Sequence, residues 1–183
     1  MSASLKGIRV LEMAQIMAGP TCGLLLADLG AEVIKIEKTP VGDDTRNFLP
    51  PEINGESAAF MMMNRNKKGI ALNLKDKDGI EIFKTMVKNS DVVLENFRKG
   101  TLEKLGVGYD VMSEINPKII LCEISGYGRT GPYADKGGFD LVAQGMSGLM
   151  SITGESKDKP PMKVGAPLTA VSYTHLRAHE TSL

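Results

Sequence analysis

Ile8-Arg-Val-Leu-Glu-Met13, Met17-Ala-Gly-Pro-Thr-Cys-Gly-Leu-Leu-Leu-Ala-Asp-Leu-Gly30 and Glu32-Val-Ile-Lys-Ile-Glu37 follow one another near the start of the chain, and together they decide its fold. The first run is short, mostly apolar and bounded by Gly7, which predicts a buried strand. Gly19 allows a tight turn and Pro20 suits a first helical turn, so a helix is expected to start there. Leu24, Leu25, Leu26 and Leu29 give that helix a broad apolar face, and Gly30 stops it before Glu32 resumes as strand. Strand, helix and strand in this order form a β-α-β unit.

Outward from this unit the alternation continues. Lys38 to Ser57 holds Pro40, Gly42, Asp43, Asp44, Pro50, Pro51, Asn54 and Gly55, which reads as a long surface loop and a candidate substrate or partner contact. Ile70-Ala-Leu-Asn-Leu74 alternates as a strand does. Asp76 to Lys88 opens with acids and carries Ile80, Phe83 and Val87 on one face, an amphipathic helix. Asp91 to Asn96 is the next strand, Thr101 is expected to cap a short helix through Leu105, and Tyr109 to Ile115 is another helical piece. Lys118 to Ile124 is a further strand. The pattern predicts an α/β fold with a mostly parallel sheet covered by helices on both faces. Past the polar loop Gly126 to Pro132, Phe139 to Met150 reads as a helix weakened by glycines.

Composition bounds the function. The chain of 183 residues is 42% hydrophobic and 24% charged, enough for one sizeable core or two small ones and too apolar for disorder. Its 22 Lys and Arg balance 22 Asp and Glu, which argues against nucleic-acid binding by a generally basic surface. The longest apolar stretch, Ile16 to Leu29, is broken by Pro20, Thr21 and Asp28, so no membrane span is expected. With no secretory signal at the N-terminus, and Cys22 and Cys122 about a hundred residues apart, the reading is a reduced, cytoplasmic protein.

Several residues bear on chemistry. His175 and His179 have the spacing of a helical metal pair with Glu180 beside them, but a Glu next to the first His and a third ligand are missing, so no metal is expected. Both belong to Val171 to Leu183, where the preceding register ends and the sequence resembles a translated cloning artefact. The division expected is 1–170 as a partial domain and 171–183 as a non-native tail. Glu37 stands where dinucleotide-binding units place a ribose-holding acid, yet the glycine fingerprint is absent, which leaves it a solvated strand-end residue. Asn64-Arg-Asn-Lys-Lys-Gly69 and Asn96-Phe-Arg-Lys-Gly100 are loops with the cations and amides to grip an anion. Met61, Met62 and Met63 are expected to fill core gaps, and the cysteines to be structural. No Ser-His-Asp set can be built without the tail, so covalent chemistry would come from a carboxylate.

Met17-Ala-Gly-Pro20, Leu26-Ala-Asp-Leu-Gly-Ala-Glu-Val-Ile-Lys-Ile-Glu37, Gly42-Asp-Asp-Thr-Arg46, Asn64-Arg-Asn-Lys-Lys68, Asp91-Val-Val-Leu-Glu-Asn-Phe-Arg98, Gly126-Tyr-Gly-Arg-Thr-Gly-Pro-Tyr133 and Gly138-Phe-Asp-Leu-Val-Ala-Gln-Gly-Met-Ser-Gly148 occur in order. In order and spacing they resemble the class III CoA-transferase family, also called CaiB/BaiF, from about Leu5 to Leu168. The resemblance implies a Rossmann-like large domain, here an N-terminal fragment, and in full-length members an interlocked homodimer. It implies transfer of coenzyme A from an acyl-CoA to a carboxylic acid through an aspartate that passes through anhydride and aspartyl-CoA intermediates. That aspartate should follow Lys163-Val-Gly-Ala-Pro-Leu-Thr169, where this chain has Ala170, so the fragment is expected to be inactive. By resemblance, CoA contacts fall at Met17 and Ala18, at Lys38, and at Leu72, Asn73, Leu74 and Lys75. Others fall at Asn96, Phe97 and Arg98, at Lys104, and at Lys136, Gly137, Gly138, Phe139 and Asp140. Related α-methylacyl-CoA racemases carry His where this chain has Phe139, which favours transferase over racemase; a noncatalytic nucleotide-binding module is the further alternative.

Overall fold

The opening β-α-β unit is present as β1 (Arg9–Glu12), α1 (Ala18–Asp28) and β2 (Glu32–Glu37) in the computed structural model, which describes residues 3–156 and 158–167. Ala170, His175, His179 and the tail expected at 171–183 lie outside the described residues. Two compact units divide the chain, Met1–Ile124 and Ser125–Leu183.

In the first unit Lys38 to Ser57 is not one uninterrupted loop. It holds a 3-10 turn (Asp44–Asn47) and a small hairpin of β3 (Glu52–Ile53) and β4 (Glu56–Ser57). The Asp43 side chain accepts from Thr45 N and thereby starts the turn. Then come α2 (Ala58–Asn64), β5 (Lys68–Ala71), α3 (Lys77–Val87), β6 (Val92–Glu95), α4 (Thr101–Lys104), α5 (Tyr109–Ile115) and β7 (Ile120–Glu123). Strand β5 starts earlier than Ile70 because its parallel register with β2 pairs Ile34 with Lys68. Asp76 caps α3 through Asp78 N. Thr101 does not cap α4: Gly100, at φ 80°, is the N-cap, and the Thr101 hydroxyl donates to the Arg98 carbonyl.

Five strands pair in the order β5-β2-β1-β6-β7, all parallel. Successive residues of the central strands face opposite layers. Val10 and Leu94 join Ala27, Ala31 and Val33 on the α1 side, whereas Leu11 and Val93 join Phe83, Val87, Leu102 and Met112 on the side of α3, α4 and α5. Val10, Leu11, Phe83, Val93 and Leu94 are 0% exposed, and each such side chain contributes roughly 1.5–3 kcal/mol by leaving water. The helices therefore cover both faces, as the alternation predicts. Cys22 on α1 and Cys122 on β7 pack against the α1-side core as half-buried free thiols. Of the three methionines expected in the core only Met63 is buried; Met61 and Met62 lie on the exposed side of α2.

In the second unit the expected single helix is two, α6 (Asp140–Met146) and α7 (Leu149–Ile152). Gly148 at φ 78° makes the break, a conformation costly for any residue with a Cβ. Phe139, Leu141, Met146 and Ile152 of this unit are exposed. No helix among the described residues is long and apolar enough to cross a membrane.

Candidate functional site

Because all five strands are parallel, their carboxyl ends lie along one edge of the sheet. The strand order reverses between β1 and β6, the place where ligands of open α/β sheets enter. The first-unit positions singled out from the sequence follow these ends. Met17 is the N-cap of α1 and Ala18 its first residue, just past β1. Lys38 immediately follows β2, Leu72 to Lys75 follow β5, and Asn96 to Arg98 follow β6, with Lys104 ending α4. Lys75, Arg98 and Lys104 are exposed cations; Lys38 is partly exposed and bonds Asp44 Oδ1. Leu72 is buried, and its N–H donates to the Glu37 carbonyl at 2.9 Å, which ties this strip to the end of β2.

Lys136, Gly137, Gly138, Phe139 and Asp140 belong to the second unit, where the backbones of Gly126 and Gly138 touch. A Cβ on Gly138 would lie 2.6 Å from Gly126 Cα, so both positions need glycine for close approach rather than for a turn. Lys136 Nζ stacks 4.2 Å over the Tyr133 ring, and the Gln144 amide donates to Asp140.

Sequence reasoning missed the cluster beneath the edge. Glu12, Lys35 and Asp43 are at most 2% exposed, and the Lys67 side chain is 1% exposed. Lys35 Nζ lies 3.1 Å from Glu12 Oε1 and 2.8 Å from Asp43 Oδ2, and donates to the Ala14 carbonyl at 2.9 Å. Lys67 Nζ donates to Glu12 Oε1 at 3.0 Å, to the Pro20 carbonyl at 2.8 Å and to Asn64 Oδ1 at 3.0 Å. It also approaches Glu12 Oε2 to 2.7 Å, a charge contact without hydrogen-bond alignment, so the ammonium sits astride the carboxylate. Burial pushes the Glu12 carboxyl up against the charges of Lys67 and Lys35, and pulls the Lys67 ammonium down to about 8 against that of Glu12. Glu12 and Lys35 interrupt apolar runs in the neighbouring strands β1 and β2, the signal that two charges there need each other.

The side chains of the loop Asn64 to Gly69 expected to grip an anion have partners within the chain. Lys67 faces inward to Glu12, Arg65 and Asn66 bind Asp28, and Lys68 binds Glu32. Glu37 is not a solvated strand end: its side chain is 10% exposed, takes a two-pronged contact from Arg46 at 2.7 and 2.9 Å, and accepts from Asp43 N at 3.0 Å. The Asn96 amide holds the β1–α1 turn, accepting from Gln15 N and donating to the Gln15 carbonyl, each at 2.8 Å. No group of three or more metal-ligating side chains occurs among the described residues.

Hydrogen bonds from Arg46 hold Glu37 below the ordinary carboxylate range against partial burial. Burial acts upward on Asp43 too, but Lys35 and Thr45 outweigh it and leave Asp43 low. In both groups the native state binds the proton more weakly than the unfolded chain. Their contribution to stability is therefore complete above the unfolded pKa of about 4 and is lost as pH falls through the lower native values. Glu12, whose pKa is raised, acts in the opposite sense. The melting temperature of the chain is expected to fall between pH 5 and pH 3, and less steeply in Glu37→Gln; equal slopes would remove Glu37 from the explanation.

The sequence of a family described as CoA-transferase family III matches residues 5–179, past the point where a foreign tail is expected to start. Succinyl-CoA:glutarate CoA-transferase of Mus musculus is 47% identical over 165 residues, covering 90% of this chain and 38% of the relative. Succinate–glutarate CoA-transferase of Agrobacterium fabrum is 46% identical over 173 residues, covering 91% and 43%. Among solved structures, a CaiB/BaiF family protein from Brucella suis superposes with a TM-score of 0.87 at 40% identity, over 98% of this chain and 51% of that one. The chain thus spans about two-fifths of the length of these curated relatives.

Proposed function

Because the chain belongs to CoA-transferase family III, we propose that it carries the coenzyme-A-binding part of an enzyme that moves CoA from an acyl-CoA donor to a carboxylic acid. The observation that carries this reading is that Met17, Ala18, Lys38, Leu72 to Lys75 and Asn96 to Arg98 follow the carboxyl ends of four strands of one parallel sheet. Exposed Lys75, Arg98 and Lys104 offer charge to the phosphates of CoA, and the N-terminal turn of α1 offers close backbone approach. Succinyl-CoA as donor and a dicarboxylate such as glutarate as acceptor are the first substrates to try, from what the relatives' names say of them.

In the whole enzyme an aspartate attacks the donor thioester to give a mixed anhydride and CoA thiolate. The thiolate then converts the anhydride to an aspartyl-CoA thioester and frees the donor acid. The acceptor carboxylate attacks that thioester, and the released CoA completes the exchange through a second anhydride. Backbone N–H groups stabilise each tetrahedral oxyanion. This chain has Ala170 at the aligned position and is inactive by itself. Phe139 in place of the racemase His supports transfer over racemisation. The two free thiols fit a reduced compartment, the cytoplasm, and the whole enzyme is an interlocked homodimer.

The test is an assay of a polypeptide that carries an aspartate at position 170 and has the relatives' full length. Succinyl-CoA offered with a panel of acids should give new CoA thioesters, whereas the 183-residue chain should give none. Exchange of an α-proton with deuterated water, without acyl exchange, would instead make the parent a racemase.

A further inference from the structure

Ile16 is a β-branched residue at φ 67°, in the left-handed region that such residues avoid, and the residue is 42% exposed, so its own packing does not hold it there. What holds it is a carboxylate. Ile16 N–H donates to both oxygens of Asp43 at 3.2 Å, and the same carboxylate accepts from Thr45 N at 2.9 Å and Thr45 Oγ1 at 2.8 Å while meeting Lys35 Nζ at 2.8 Å. Three consecutive backbone positions are thus each gripped by a side chain from elsewhere: Ala14 by Lys35, Gln15 by Asn96 and Ile16 by Asp43. The next two residues are Met17 and Ala18, where the helix begins without any side-chain cap at its N-cap.

The geometry points to Asp43 as a positioning residue for the CoA site: through Ile16 it sets the backbone of the Met17–Ala18 turn in the shape that receives the ligand. This rests on the CoA reading above. Asp43 is 0% exposed and lies outside the residues assigned to ligand contact. Its own N–H is bound to Glu37 at the end of β2, beside Lys38. It therefore links the turn after β1 to the segment after β2, so that two of the assigned contact regions are built as one piece. A left-handed Ile without this acceptor relaxes toward ordinary φ, which turns the following N–H groups away.

The test uses the 183-residue chain, CoA itself as titrant, and amide hydrogen exchange at Ile16. Asp43→Asn should weaken CoA binding about tenfold, the loss of one good charge-assisted contact, and speed Ile16 exchange by a similar factor. Adding Ile16→Gly, for which positive φ carries no penalty, should restore most of the affinity but not the lowered melting temperature. A merely structural Asp43 would move affinity and melting together and gain nothing from the glycine. Should Asp43→Asn fail to fold, Thr45→Val, which removes one hydroxyl donor to Asp43 and keeps the ion pair, should still weaken CoA binding about threefold. Unchanged affinity in a folded Asp43→Asn or Thr45→Val chain, or no rescue by glycine, overturns the proposal. An unsubstituted chain that binds no CoA sinks the functional reading first, and the positioning role with it, which separates that failure from failure of the clamp.

Discussion

Lys67→Ala is expected to destabilise the chain by about 3–5 kcal/mol, because it strands one member of a buried ion pair. Lys67 has a side-chain exposure of 1% against 0% for Glu12, so solvent cannot replace the lost ammonium. Glu12 would keep only Lys35, which it shares with Asp43, while the Pro20 carbonyl and Asn64 Oδ1 lose their donor. Against a typical total of 5–15 kcal/mol, such a loss leaves the first unit close to unfolding. Replacing both partners tests the cause: Glu12→Gln with Lys67→Met should recover much of the loss, since neutral groups of similar volume avoid the desolvation of charge. Urea unfolding followed by circular dichroism measures both, and a Lys67→Ala chain within about 1 kcal/mol of the parent would show that the pair is not buried as described.

The second large effect is steric. Gly79, in the first turn of α3, faces the backbone of Asn73, and a Cβ there would lie 2.0 Å from the Asn73 carbonyl oxygen and 2.8 Å from its carbon. A main-chain carbonyl has no rotamer by which to step aside. Gly79→Ala gains up to about 1 kcal/mol of helix propensity and loses about 3 kcal/mol to overpacking, a net cost of about 2 kcal/mol. If the strip Leu72 to Lys75 contacts CoA as proposed, CoA affinity should fall as well, because Asn73 lies in it. Thermal melting of the variant checks the first consequence, and a melting point at or above that of the parent would contradict it.

The sheet was legible because its signals are local. Apolar runs between Gly7 and Met13 and from Glu32 to Glu37 announce buried strands, Gly30 at φ 100° ends α1 where a Cβ would be strained, and Asp76 starts α3 by a side-chain bond two residues long. The carboxyl-edge position of the candidate contacts follows from parallel strands joined by helices, which again is pattern alone. What stayed hidden depends on partners far apart in sequence. Arg65, Lys67 and Lys68 read as a basic loop until Asp28, Glu12 and Glu32 are seen to neutralise them from up to 55 residues away. Nothing local to Asn96 shows that both ends of its amide are bonded to Gln15, 81 residues distant. Asp43 sits in a stretch whose composition says only turn, and nothing local reveals that its carboxylate supports a left-handed isoleucine on another segment.

Calorimetric titration of the 183-residue chain with CoA and, separately, with NAD tests the central claim most directly. The sheet edge described here, with cations after β5 and β6 and without a glycine-rich phosphate loop after β1, predicts saturable CoA binding that weakens as salt rises and no binding of NAD. Saturable NAD binding with no heat from CoA would contradict it.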